Sequence, residues 1–301
     1  MKILITGAFG HIGSFIINKI YKNKKIKKIY LVDNFSNQKF DTFFRIKNKK
    51  FKFFYGDLTN IKFCKQLPKS DRVIHLASIT NAEKSFENKN KINKNNIGCF
   101  KNIVDYCSGN KSKLIHISSS SIYGSKKGYV DENSSYNPQS PYAKIKVEEE
   151  LILKRQKKIE YITLRFGTIS GFSNGMNFHT AVNKFCFNAA MNLDIPIWGK
   201  ALNLYRPYLS LKDAYKVMNY IILKNFYPCD VFNILSENKT VKQILNLIKK
   251  NNFKIKTKHI NSKIPNVFSF DTSKLKIQKY GLKLNSKISD DIKYTLIKLK
   301  K

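Results

Sequence analysis

The chain has 301 residues, 42% of them hydrophobic and 13% aromatic, which is enough to bury a large core and excludes a disordered polar chain. Lys and Arg number 56 against 20 Asp and Glu, a formal charge of +36. The lysines are scattered among Asn, Ile and Phe, arginine is scarce and no nucleic-acid motif accompanies them. The charge therefore reads as solvated lysine faces with general anion attraction, not as a footprint for a specific nucleic acid. No apolar run approaches the ~20 residues that span a bilayer. The run Met1–Thr6 is too short for a signal peptide. Five cysteines without paired spacing fit a reducing compartment better than a disulfide framework or a zinc site. These features predict a cytoplasmic protein with no membrane partner and no metal.

Lys2–Thr6 is a short β-branched run, a buried strand by pattern. Gly7-Ala8-Phe9-Gly10-His11-Ile12-Gly13 follows and leads into the helical stretch Ser14–Ile20. Glycines there permit a tight turn and close backbone approach to a pyrophosphate, and the helix start offers N–H groups and partial positive charge to the same anion. The G-x-x-G-x-x-G spacing departs from the usual dinucleotide fingerprint, but its place directly after a first strand is the expected one. His11 is expected to act through its backbone. The second strand, Ile29–Val32, ends at Asp33, the position of a carboxylate that accepts hydrogen bonds from an adenosine ribose and repels a 2′-phosphate. NAD is therefore the expected cofactor; the alternative for Asp33 is a loop residue capping a turn.

Phe51–Tyr55 is a third strand followed by Gly56-Asp57-Leu58, Arg72–Ser78 a fourth and Lys113–Ile117 a fifth, with helices around Ile61–Leu67 and Ile92–Cys107. Strands alternating with helices predict a parallel sheet covered on both faces. The fifth strand runs into Ser118-Ser119-Ser120-Ser121-Ile122-Tyr123-Gly124. Ser140-Pro141-Tyr142-Ala143-Lys144-Ile145-Lys146 comes next. If Pro141 opens a helix, Tyr142 and Lys146 share one face, one turn apart. A phenol ordinarily titrates near ~10; an ammonium beside it stabilises the phenolate and makes it a usable base.

Thr6-Gly7-x-x-Gly10-x-x-Gly13, Asp33-Asn34, Asp57-Leu58, His75-Leu76-Ala77, Asn95-x-x-Gly98, the serine run before Tyr123-Gly124 and Tyr142-x-x-x-Lys146 occur in one order over about half the chain. Together they resemble an extended short-chain dehydrogenase/reductase, in the NAD-dependent epimerase/dehydratase family of nucleotide-sugar enzymes. The resemblance implies a Rossmann-type α/β fold, a doubly wound parallel sheet with a smaller C-terminal substrate-binding α/β region. It places Phe9, Ile12, Leu58, Leu76, Ala77, Ser78, Asn95 and Phe166 beside the cofactor, with Lys146 on the nicotinamide ribose. Ser119 stands where the family has a catalytic Ser or Thr. Family 4,6-dehydratases carry a Thr-Asp-Glu run here; Ser120 and Ser121 replace the two carboxylates, which disfavours elimination and resembles a 4-epimerase. The resemblance also implies a homodimer through the helices near 92–107 and 142–157.

In the second half, Ile159–Phe166 reads as a sixth strand, Asn177–Asn192 as a helix and Pro196–Gly199 as a short extended piece. The resemblance assigns substrate contacts to Thr168, where the family often has Asn, and to Asn177. It also assigns Arg206 to a diphosphate; the alternative is a structural pair between Arg206 and Asp213. The second family arginine is missing, and Lys263 is the nearest basic candidate. A lone histidine such as His179 is expected to be a packing or satisfied polar residue. The predicted division is a cofactor-binding unit over 1–168, with the catalytic helix, and a mainly substrate-binding unit over 169–301, some of whose segments could return to the sheet. The expected activity is NAD-dependent epimerisation of a nucleotide sugar at C4. The alternatives are a reductase or dehydrogenase of a nucleotide-linked keto-sugar, and a non-catalytic cofactor- or RNA-binding regulator.

Overall fold

The structure is a computed structural model and describes residues 1–124, 126–198, 201–261 and 269–300. Strands β1 (Lys2–Thr6), β2 (Lys28–Asp33), β3 (Phe51–Tyr55), β4 (Arg72–His75) and β5 (Lys113–Ser119) alternate with helices α1 (His11–Ile20), α2 (Asp41–Arg45), α3 (Ile61–Gln66) and α4 (Lys89–Asn110). A short strand β6 (Lys127–Val130) precedes helix α5 (Pro141–Arg155), and β7 (Tyr161–Phe166) follows it. The second half contains β8 (Thr168–Ser170), α6 (Ala181–Ala190), β9 (Ile195–Trp198), β10 (Tyr205–Ser210), α7 (Leu211–Lys224) and β11 (Asp230–Ile234). It closes with β12 (Glu237–Thr240), α8 (Val241–Lys249), β13 (Thr257–Ile260), β14 (Ser269–Thr272), α9 (Leu275–Gln278) and α10 (Ile288–Leu299).

The main sheet has seven parallel strands in the order β11-β7-β5-β4-β1-β2-β3. The order reverses between β1 and β4, and the crevice there is where doubly wound sheets bind ligands. Successive side chains of β1 go to opposite faces: Ile3 and Ile5 join the core under α1 and α7, whereas Leu4 joins the core under α3, α4 and α5. Each fully buried aliphatic side chain of this kind stabilises the fold by about 1.5–3 kcal/mol. A third core, with Val182, Phe185, Ile197, Ile244 and Ile292, lies among α6, α8, α10 and β9. The smaller sheet β12-β10-β8 lies beside it.

From the second half, β11 is the edge strand of the main sheet and α7 covers its face. The helix expected over Asn177–Asn192 is shorter. It begins at Ala181 after the extended Thr180, and the chain turns left-handed at Asn192, with φ 54°. The helix expected to open at Pro141 does so, with the Ser140 hydroxyl accepting from the Ala143 N–H at 3.2 Å.

Candidate active site

The carboxyl ends of β1, β2, β4, β5 and β7 and the start of α5 form one wall of a cavity of about 800 Å³; β8, β9, β10 and the start of α6 form the facing wall. On the first wall, Gly7 turns the chain with φ +61°, and a Cβ at Gly7 would lie 2.7 Å from the Ala77 nitrogen. A Cβ at Gly13 would lie 2.4 Å from the Ala8 carbonyl oxygen. Both glycines are therefore required by close backbone approach. Phe9, Gly10, His11 and Ile12 complete the turn, and the N-terminus of α1 opens onto the cavity.

Asp33, at the end of β2, accepts from the Phe9 N–H at 2.9 Å and the Phe35 N–H at 2.8 Å. Asn34 follows it on the rim, and Asp57, Leu58, Leu76, Ala77, Ser78, Asn95 and Phe166 all line the same cavity. The Asp57 carboxylate accepts from the Thr59 N–H at 2.8 Å, which fixes its loop. The His11 imidazole does more than its expected backbone role. Its Nε2 lies 2.8 Å from the Gly171 carbonyl oxygen, joining the phosphate-type loop to the second half. Burial pulls His11 down to about 4.

Ser119, Tyr142 and Lys146 meet at the centre. Ser119 closes β5 and lines the cavity beside Tyr142, its hydroxyl oxygen accepting from the Ser121 N–H at 3.2 Å and the Ser121 hydroxyl at 2.9 Å. The Lys146 ammonium lies 5.8 Å from the centre of the Tyr142 ring. The pairing expected to make Tyr142 an easy phenolate is only part of its surroundings. Burial raises the Tyr142 pKa, Lys146 opposes that and Glu149 adds to it, so the net displacement is upward. Lys146 itself is drawn down by burial but held up more strongly by Glu149 and by Tyr142.

On the facing wall, Thr168, Asn177 and Arg206 line the cavity. The Asn177 amide oxygen accepts from Lys39, whose Nζ also donates to the carbonyls of Gly175 at 2.7 Å and Met176 at 3.1 Å. Arg206 lies over Trp198, 5.7 Å from the ring centre. Asp213 is turned to Ser236 at 2.6 Å and Ser286 at 2.8 Å. His179 contacts Thr80 at 3.3 Å, in keeping with a satisfied polar residue. Lys263 lies outside the described residues.

Thr180 and Tyr208 escaped the sequence reading. They line the cavity with the expected Ser78, and each of the three hydroxyls is buried with no hydrogen-bond partner among the described residues. Thr180 directly precedes α6, a capping position visible in the sequence; Tyr208 carried no local signal. The residues present fit a dinucleotide on the first wall: a glycine turn, a helix N-terminus, a ribose-type carboxylate and a volume suited to an extended ligand.

The model of the NAD dependent epimerase/dehydratase family matches residues 3–234. The chain is 28% identical over 279 residues to an uncharacterized UDP-glucose epimerase of Bacillus subtilis, covering 88% of this chain and 86% of that protein. It is 29% identical over 275 residues to a dTDP-D-glucose 4,6-dehydratase of Dictyostelium discoideum, covering 82% of this chain but only 62% of that relative. Among solved structures it is similar to a mutant UDP-glucuronic acid 4-epimerase from Bacillus cereus in complex with a fluorinated UDP-glucuronic acid and NAD. There the TM-score is 0.88, with 25% identity and 99% of each chain covered.

Proposed function

Because the chain belongs to the NAD dependent epimerase/dehydratase family, we propose that it is an NAD-using nucleotide-sugar 4-epimerase. The observation that carries this reading is the convergence of Ser119, Tyr142 and Lys146 on a cavity that also holds the glycine turn and Asp33. The choice of epimerisation over dehydration rests on the turn after β5. The carboxylates that line the cavity among the described residues are Asp33, Asp57 and Glu83, while that turn presents Ser120 and Ser121.

Tyr142, as phenolate, removes the proton from the sugar 4-hydroxyl, and Ser119 steadies the same oxygen. Bound NAD supplies first a hydride acceptor and then a hydride donor at C4. Lys146 holds the nicotinamide ribose and offsets the charge on the phenolate. The Gly7–Gly13 turn and Asp33 hold the dinucleotide, with Asp33 selecting NAD over NADP. Arg206 grips the substrate diphosphate, and Thr168 offers a hydroxyl to the sugar nucleotide. Tyr142 then returns its proton to the opposite epimer.

The proposal extends to a homodimer through α4 and α5, whose exposed residues include Lys101, Asp105, Glu148 and Leu151, and sedimentation velocity checks it. A cytoplasmic location is supported by five free cysteines. No helix among the described residues is long and apolar enough to cross a membrane. The deciding experiment incubates the protein with UDP-, GDP-, CDP- and dTDP-sugars and follows C4 configuration by NMR. Inversion without net cofactor consumption supports the epimerase; stoichiometric consumption indicates the reductase or dehydrogenase; loss of water indicates a dehydratase.

A further inference from the structure

Helix α5 carries three consecutive glutamates, of which Glu148 is exposed while Glu149 and Glu150 are buried. Glu150 is satisfied by the Arg165 guanidinium at 2.7 Å and by the Ser118 hydroxyl at 2.5 Å. Glu149 faces the other way. Its Oε2 lies 2.7 Å from Lys146 Nζ, across the three-residue spacing of the helix. The same oxygen lies 2.9 Å from His116 Nε2, on β5, and His116 Nδ1 lies 3.2 Å from the Thr163 hydroxyl on β7. Glu149 and His116 are 1% and 0% exposed, so neither charge nor ring is screened by water.

We propose that Glu149, held by His116, is a positioning residue behind Lys146 that sets the basicity of Tyr142. The inference rests on Tyr142 as the base of the proposed reaction. Burial raises the Tyr142 phenol, and an ammonium without a counter-charge behind it would oppose that more fully and leave a weaker base. With Glu149 on its far side, Lys146 acts on Tyr142 as one end of an ion pair, and the phenolate stays basic enough to take a sugar hydroxyl proton. The other titratable groups around Glu149 and Lys146 are His75 on β4, Cys99 on α4 and Glu150 on α5. His75 is bound to the Thr6 hydroxyl at 2.8 Å and Glu150 to Arg165, so each already has its own partner. Burial works against ionisation of Glu149, but Lys146 and His116 outweigh it and hold the carboxyl down at about 2. The negative charge is therefore present throughout the working pH range.

The test reads Tyr142 directly, by the ultraviolet absorbance of tyrosinate in the full chain with the Tyr142→Phe titration subtracted. Glu149→Gln removes the charge and retains the shape, and the Tyr142 midpoint is expected to fall by ~1 pH unit or more. Glu149→Asp keeps the charge but draws it back, and its midpoint should lie between those of Glu149→Gln and wild type. A lowered melting temperature with an unmoved midpoint would mean that Glu149 only supports the fold, and overturns the proposal. If Glu149→Gln does not fold, Glu149→Asp decides: a midpoint displaced to lower pH supports the proposal and an unmoved one overturns it. No sugar is needed for this titration. Failure of the epimerase reading is seen separately, in the sugar panel and in the turnover of Tyr142→Phe.

Discussion

On the wall formed by the Gly7–Gly13 turn and Asp33, the contacts are local and largely made by backbone: N–H groups, a helix start, and a carboxylate locked by two N–H donors. The facing wall is lined by side chains distant in sequence, among them Thr168, Asn177 and the Arg206 guanidinium over Trp198. A backbone-made site constrains φ and close approach, so it leaves a spacing that can be read. A side-chain-made site leaves only residue types, and the same types occur everywhere on the surface. In the proposed reaction the first wall would hold the part common to many ligands, and the second would choose among them.

Breaking the chemistry between the walls should have the largest effect. Tyr142→Phe is expected to lower turnover about 10³-fold, with NAD affinity by calorimetry nearly unchanged; near-normal turnover would remove Tyr142 from the mechanism. Next comes the side-chain wall. Arg206→Ala should weaken nucleotide-sugar binding by ~30- to 150-fold, about 2–3 kcal/mol, and Arg206→Lys should recover only part of it. NAD affinity should not follow, and if it falls in parallel the two walls are not functionally separate.

The tie between the walls gives a pH-dependent effect. His11 titrates at about 4 in the fold and near 6.5 when unfolded. Between those values the unfolded chain binds more protons, so stability rises with pH there and is lost as pH falls. His11→Gln keeps a donor for the Gly171 carbonyl but does not titrate. It should lose less unfolding free energy than wild type from pH 7 to pH 4, by roughly 2–3 kcal/mol. Parallel denaturation curves at both pH values would refute it. Least of all, Asp33→Asn should narrow the preference for NAD over NADP by about tenfold, read from the two dissociation constants.

The order of elements, the parallel sheet and the first wall were legible because each rests on local rules: β-branched runs, glycine spacing, and Ser140-Pro141 opening a helix. The His11 imidazole was not, since its partner Gly171 lies 160 residues away and the glycine turn drew attention to the backbone. Nothing in the sequence distinguishes the three consecutive glutamates after Val147 from one another. At about 100° per residue along a helix, two of them rotate inward, and only the placement of His116 and Arg165 shows that each has a partner. Asn177 lines the cavity, but Lys39, brought from the loop after β2, takes its amide oxygen.

Strand β11 lies at the edge of the main sheet beside β7, and Phe232 and Ile234 share one core with Ile3, Ile5 and Leu164. Val217, Met218 and Ile221 of α7 cover the same face. Completion of the sheet therefore waits for residues synthesised some seventy positions after β7, as the ladder from Asp230–Ile162 to Ile234–Phe166 shows. Pairings of that range are slow to close and leave strand edges open in the interval. During synthesis the nascent chain would carry an unpaired β7 edge and an uncovered apolar face until α7 and β11 emerge. A fragment ending at residue 168 would keep both permanently, and aggregation rather than an isolated cofactor-binding domain is its expected fate.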